Sequence, residues 1–165
     1  MDDATSSSQV VVIGYGNTLR SDDGAGQIVA EAVKDWGLRN VRSHSTHQLT
    51  PELAEPLSTS QLAIFVDAYP SDKGEPATVR VQAIQPTKIE AGIGHTADPR
   101  SLLALTQMVY GVSPSAWWIL IPAINFEFGE QLSWVTQEGV KAALEQIHYL
   151  ITNSLRHCRE YSESK

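Results

Sequence analysis

Short β-branched runs alternate along the chain with segments whose apolar residues recur every three or four positions. "QVVVIG" (9–14) is apolar on both faces, which suits a central parallel strand. Residues 23–36 follow with Ile28, Val29, Ala32, Val33 and Trp36 at helical spacing, and Asp22 or Asp23 is placed to cap the first turn. "NVRSHS" (40–45) is a weaker second strand. "TPELAEPLS" (50–58) opens with Thr and Pro and predicts a short helix. "LAIFVDA" (62–68) is another buried strand, ending in an aspartate, and "SDKGEP" (71–76) is a turn. "ATVRVQAI" (77–84) alternates and reads as a one-sided or edge strand. The short link before it carries no helical pattern, so it is predicted to pair antiparallel. After a loop, "PRSLLALTQMVYG" (99–111) is a helix with Asp98 as its cap, Pro first and Gly as its stop. "AWWILIP" (116–122) is a third buried strand, in which Trp117 and Trp118 read as core side chains and not as a substrate platform. Residues 136–155 form the last helix, with Val140, Ala143, Leu144, Ile147, Leu150 and Ile151 on one face.

This alternation predicts an α/β fold: one domain, a three-layer sandwich with a twisted, mostly parallel sheet, helices on both faces and one antiparallel strand. The domain spans 9–155, between an N-terminal tail (1–8) and a polar C-terminal tail (156–165). Ligands of such sheets bind beyond the carboxyl ends of the strands, where the strand order reverses. If the order begins 2-1-3, Asp22, Asp23 and Asp67 meet at that edge.

The composition narrows the function. At 165 residues the chain fits a single domain with a sizeable core, and 42% hydrophobic with 19% charged residues is a globular profile. A net charge of −7 and no Lys/Arg run argue against nucleic acid. No apolar run reaches the ~20 residues of a membrane span, and "MDDATSSSQ" lacks the features of a signal peptide. The lone Cys158 has no partner for an internal disulfide and reads as incidental, and a reducing cytoplasm is the simplest location.

"GYGNTLRSDDGAG" (14–26) has the form of a phosphate-binding turn but presents two carboxylates. Leu19 stands where a dinucleotide fingerprint needs its third glycine, the second strand ends in "HSTHQ" instead of an acid, and no Gly-Lys-Ser/Thr follows. Capping explains one aspartate; a pair facing Asp67 calls for a cation or a proton between them. Of the five histidines, His148 and His157 read as surface or partly packed, His44 as packed, and His47 and His95 as loop residues. The loop from Gln85 to Asp98 has 14 residues; at roughly 3.3 Å per residue it can carry His95 back to the acids. Two carboxylates and an imidazole suit zinc, nickel, iron or manganese, with coordination positions left open. H-E-x-x-H, a D-[ST]-G pair and G-x-S-x-G are all absent.

Taken in order, "GYGNTLRSDDGAG", "IFVDA" and "GHTADPRSLLAL" resemble the three motifs of the [NiFe]-hydrogenase maturation endopeptidases, over about residues 9–150. "STHQLTPELAE" and "AWWILIPA" look more narrowly like the branch serving bidirectional, NAD(P)-linked hydrogenases. Other branches carry a Gly-Thr segment where this chain has His47-Gln48-Leu49. The resemblance implies an aspartyl-type endopeptidase acting on the hydrogenase large-subunit precursor. It would remove a C-terminal extension after nickel insertion and let the subunit close over its metal centre. Carried over, the metal-contacting and catalytic positions fall on Asp23, Asp67 and His95, and Asp22 is left as a cap. The metal is nickel carried by the substrate, with no organic cofactor. Gly14, Gly16 and Gly24 would leave space for an approaching peptide. Gly14, Gly16, Asn17, His47 and Gln48 are candidate substrate contacts, with Asn17 also fixing the turn. Either the metal activates water or the scissile carbonyl, or one aspartate acts as general base. The rival readings are a nickel carrier without hydrolysis and a nucleotide-binding module. A monomer with an open cleft is the expected state.

Overall fold

The computed structural model describes residues 10–72, 77–88 and 98–162, with side chains as far as Arg156. Strand β1 (Val10–Tyr15) is central, and Val10 to Ile13 are fully buried. It pairs in parallel with β2 (Val41–Thr46) on one side and β3 (Leu62–Pro70) on the other. β3 pairs in parallel with β5 (Ser115–Ala123), and β4 (Arg80–Ile84) adds antiparallel to β5, giving the order β2-β1-β3-β5-β4. The antiparallel strand is as the sequence predicts, and the order begins 2-1-3, the condition on which the sequence brings its aspartates to one edge. β2 and β4 are the edges, which accounts for their weak or one-sided apolar patterns.

Successive residues of β1 face opposite sides, so one strand feeds two cores. Val10 and Val12 join Ile64, Ile121 and the helices α1 (Ala25–Asp35) and α4 (Trp134–Ser162). Val11 and Ile13 join Phe65 and the helices α2 (Ala54–Ser58) and α3 (Pro99–Tyr110). The chain therefore forms three layers, as its alternating elements predict. Within α4 the predicted stripe is the buried face: Ala143 and Ile147 are fully covered. The helical backbone runs on to Ser162, through the segment that reads from sequence as a polar tail. α3 ends as predicted, with Gly111 left-handed at φ 74° and Asp98 Oδ1 accepting from Arg100 N at 2.8 Å.

The helix expected over 23–36 divides. A 3-10 turn, Ser21–Gly24, precedes α1, and neither aspartate caps it. Helix α1 lies unusually close to the sheet because two glycines face each other. A Cβ at Gly14 would stand 1.9 Å from the Gly26 carbonyl oxygen and 2.8 Å from Ala30 Cβ. Among the described residues no helix is long and apolar enough to cross a membrane.

Candidate active site

Strand order reverses at β1, so the connections to β2 and to β3 leave in opposite directions and open a crevice at their carboxyl ends. Three segments meet there: the glycine turn after β1, the end of β2 and the end of β3. Gly16 joins the first two, its N–H donating to Thr46 O at 3.2 Å.

Asp23 reaches the crevice through a fold-back that only glycine permits. Gly16 has φ 142°, and a Cβ there would lie 1.9 Å from Asp23 O. The Asn17 N–H donates to Asp23 Oδ2 at 3.0 Å and orients the carboxylate. Asn17 closes the turn with its own side chain, its Oδ1 accepting from Leu19 N at 2.9 Å. Gln27 Nε2 donates to Gly16 O at 2.6 Å and ties the turn to α1. Gly14 and Gly16 thus have packing reasons: the space beside each is filled by the protein's own backbone. Gly24 is similarly close-packed, with Thr18 Cα 2.9 Å from where its Cβ would be.

Asp67 lies near the end of β3, opposite Leu120 of β5. Burial pushes its carboxyl up to about 6. The Ala68 N–H at 2.8 Å and the Tyr15 hydroxyl oppose the rise, and the negative charge of Asp23 adds to it. Asp23 and Asp67 therefore face one crevice closely enough to feel each other, as the 2-1-3 order implies. The sequence gives no sign of the two groups behind Asp67. Tyr15, 6% exposed, ends β1 with its hydroxyl toward Asp67. Burial, then the charge of Asp67, raise the Tyr15 hydroxyl far above its ordinary value, so it stays protonated as a donor. The Trp118 indole N–H interacts with the same hydroxyl. Among the described residues neither Tyr15 Oη nor Trp118 Nε1 completes a hydrogen bond of good geometry. Trp118 is half-buried against the α2/α3 core, with the Arg100 guanidinium 5.6 Å over its ring.

Asp22 departs from its predicted role. It is a fully buried carboxylate that ties down a distant loop instead of capping α1. Its Oδ2 accepts from Ile124 N and Asn125 N, both at 2.9 Å, and from Ser133 Oγ at 2.8 Å; its Oδ1 accepts from Ser133 N at 2.6 Å. Burial alone would raise Asp22, but the hydrogen bonds from Ser133, Ile124 and Asn125 outweigh it and hold the carboxyl below its ordinary value. The neighbouring backbone joins in: Ser21 N donates to Gly129 O at 2.7 Å, and Gly129 N donates to Leu19 O at 2.9 Å. Ser21, at φ 51°, is held in this left-handed conformation while its Oγ donates to Glu127 O at 2.9 Å.

His47 and Gln48 follow β2 at the same edge and are exposed, whereas Leu49 turns inward at 2% exposure. His44 sits half-buried within β2, lowered by burial and then by the charges of Arg42 and Lys34. His148 is exposed on α4 with its ring edge-on to Trp36 at 5.9 Å. His95 lies outside the described residues, as do the N-terminal tail and the side chains of His157 and Cys158. Among the described residues no three acids, histidines or cysteines gather as a metal site; the crevice supplies two carboxylates.

No family profile matches the sequence, and no curated protein matches it. Solved structures do match. The chain is similar to the [NiFe] hydrogenase maturation protease HybD from Thermococcus kodakarensis, at 25% identity, TM-score 0.68, covering 86% of this chain and 98% of that one. It is similar to the hydrogenase maturating endopeptidase HybD from E. coli, at 21% identity, TM-score 0.69, covering 88% and 93%. A hydrogenase 2 maturation peptidase from a Thaumarchaeota archaeon matches at 21% identity, TM-score 0.66, covering 87% and 98%. The resemblance carried by the three sequence motifs thus extends to the fold over most of the chain.

Proposed function

We propose that this protein is an endopeptidase that removes the C-terminal extension of a [NiFe]-hydrogenase large-subunit precursor once nickel is in place. The observation that carries the reading is the meeting of Asp23 and Asp67 at the reversal of the sheet, in a fold shared with hydrogenase maturation proteases. Nickel belongs to the substrate: Asp23, Asp67 and His95 complete its coordination, so that a loaded precursor docks productively and an empty one does not. Asp67, with its carboxyl near 6, is ionised for the most part at neutral pH. Either the metal activates the water or the scissile carbonyl, or one of the two aspartates takes the proton of the attacking water and passes it to the leaving amine. Tyr15 stands behind Asp67 with its hydroxyl toward the carboxylate, and the Trp118 indole lies beside that hydroxyl. His47 and Gln48, exposed at the same edge, contact the extension. The protein acts in the cytoplasm as a monomer.

Purified protein mixed with nickel-loaded and nickel-free precursor, with precursor mass followed over time, tests the reading. Loss of the C-terminal extension from the loaded precursor alone is expected, and Asp23→Asn, Asp67→Asn and His95→Ala should each abolish it. Cleavage of both precursors removes nickel gating and leaves the peptidase. An intact loaded precursor sinks the peptidase reading.

A further inference from the structure

The segment joining β5 to α4, residues 124–133, carries no regular structure apart from one bridge of Gly129 to Arg20, yet it is rigidly fastened. Asp22 grips both its ends, and Ser21 and Leu19 bond its middle. Leu132 packs against the α1/α4 core, but Phe128 within the strap and Trp134, the first residue of α4, do not. Phe128 and Trp134, 87% and 74% exposed, are the two most exposed large apolar side chains among the described residues. Leu19 and Ile124, 47% and 36% exposed, belong to the same hydrogen-bonded knot. Apolar side chains left in water at adjoining points of one hydrogen-bonded knot favour association.

The knot is continuous with the crevice, because Asp22 is the residue before Asp23. Exposed Glu127 and Glu130 flank Phe128, and the Asp23/Asp67 pair lies beyond; the Arg20 side chain, donating to Phe126 O at 3.3 Å, is the cation within the patch.

We infer that this strap is the docking face for the protein substrate, taking an apolar segment with basic side chains beside it while the scissile segment enters the crevice. The inference rests on the endopeptidase reading for its substrate. A bound aromatic anchor is the kind of contact that carries most of an interface's affinity. Asp22 is then a positioning residue: one carboxylate fixes the strap on one side and the turn bearing Asp23 on the other, so docking and chemistry keep a constant separation.

The test compares wild type with Phe128→Ser, Trp134→Ser and the Glu127→Lys/Glu130→Lys pair. Val109→Ser, exposed near the end of α3 just before β5 starts, whereas the strap follows the end of β5, is the control. Circular dichroism and melting curves establish that each is folded. Processing kinetics are read on the loaded precursor. Dissociation constants are read with the same precursor by rapid mixing, before turnover, for wild type and each variant. The expected result is a KM and a Kd raised about tenfold by either apolar change. The charge reversal should weaken binding mainly at low salt, kcat should hold within a factor of two, and the control should not move. Unchanged KM and Kd overturn the inference while the peptidase stands. Absent processing with binding still weakened by Phe128→Ser keeps the docking face and removes the peptidase. Absent processing and absent binding overturn both. A wild-type dimer on size-exclusion chromatography that Phe128→Ser dissolves also overturns it, by giving the face to a second copy of this chain.

Discussion

Asp67 and Asp22 are both carboxylates withdrawn from water, and their environments push them in opposite directions. Asp67 rises to about 6 because burial is only partly offset. The folded state thus holds that proton more tightly than the unfolded chain does. The resulting stabilisation is complete below the unfolded value near 4 and is lost as pH rises through about 6. Asp67→Asn removes the ionisable group. At pH 7 we expect it to stabilise the metal-free protein by about 2–3 kcal/mol, with no gain at pH 4, while ending processing; thermal melts at the two pH values check this. Asp22 has the opposite sign: its lowered value gives stability that is present above the ordinary carboxylate range and lost as pH falls through the folded value. Asp22→Ala leaves the N–H groups of Ile124, Asn125 and Ser133 without their acceptor. A loss of about 3–5 kcal/mol in denaturant unfolding at pH 7 is the expected outcome. A loss under about 1 kcal/mol would show that water replaces the carboxylate.

Among the elements, the packing of α1 on β1 depends on absent side chains. Gly14→Ala forces a Cβ into the Gly26 carbonyl at 1.9 Å, and relief requires α1 to move off the sheet together with the turn that carries Asp23. The expected cost is about 3 kcal/mol or more, with processing lost as well. Gly111→Ala, left-handed but with no atom within 4 Å, has only its backbone to strain. About 1 kcal/mol and normal processing are expected there. Equal losses in unfolding experiments on the two variants would mean that backbone conformation, and not the close approach, sets the cost. At this scale the sequence was largely legible. β1, β3 and β5 are long enough and apolar enough to be unambiguous, and α3 carries its cap and its stop in Asp98, Pro99 and Gly111. The start of α1 was misread because an aspartate before an apolar helix has the same local pattern whether it caps that helix or bonds a loop a hundred residues away.

Across the whole molecule the same limit decides what the sequence conceals. Asp23 and Asp67 could be brought together because one lies in the turn after β1, the other near the end of β3, and the strand order sets those strands side by side. Tyr15 and Trp118 could not, since a buried aromatic with a polar tip has the periodicity of any core residue. The strap at 124–133 has no period at all; its shape comes from bonds to residues 19–22. The arrangement that results bears on where nickel resides. The charge of Asp23 helps to raise Asp67, and on the proposed reading His95 is the third ligand. A site of two like-charged carboxylates and one imidazole, with its remaining positions open, should grip a bare ion loosely and a substrate-held ion well. Calorimetric titration of the isolated protein with nickel at pH 7 is therefore expected to give a dissociation constant no tighter than about 1 μM, or a binding free energy near −8 kcal/mol. Binding in the nanomolar range, undiminished by Phe128→Ser, would place the ion in the protein before the substrate arrives and favour a nickel carrier over a peptidase that reads nickel already seated in its precursor.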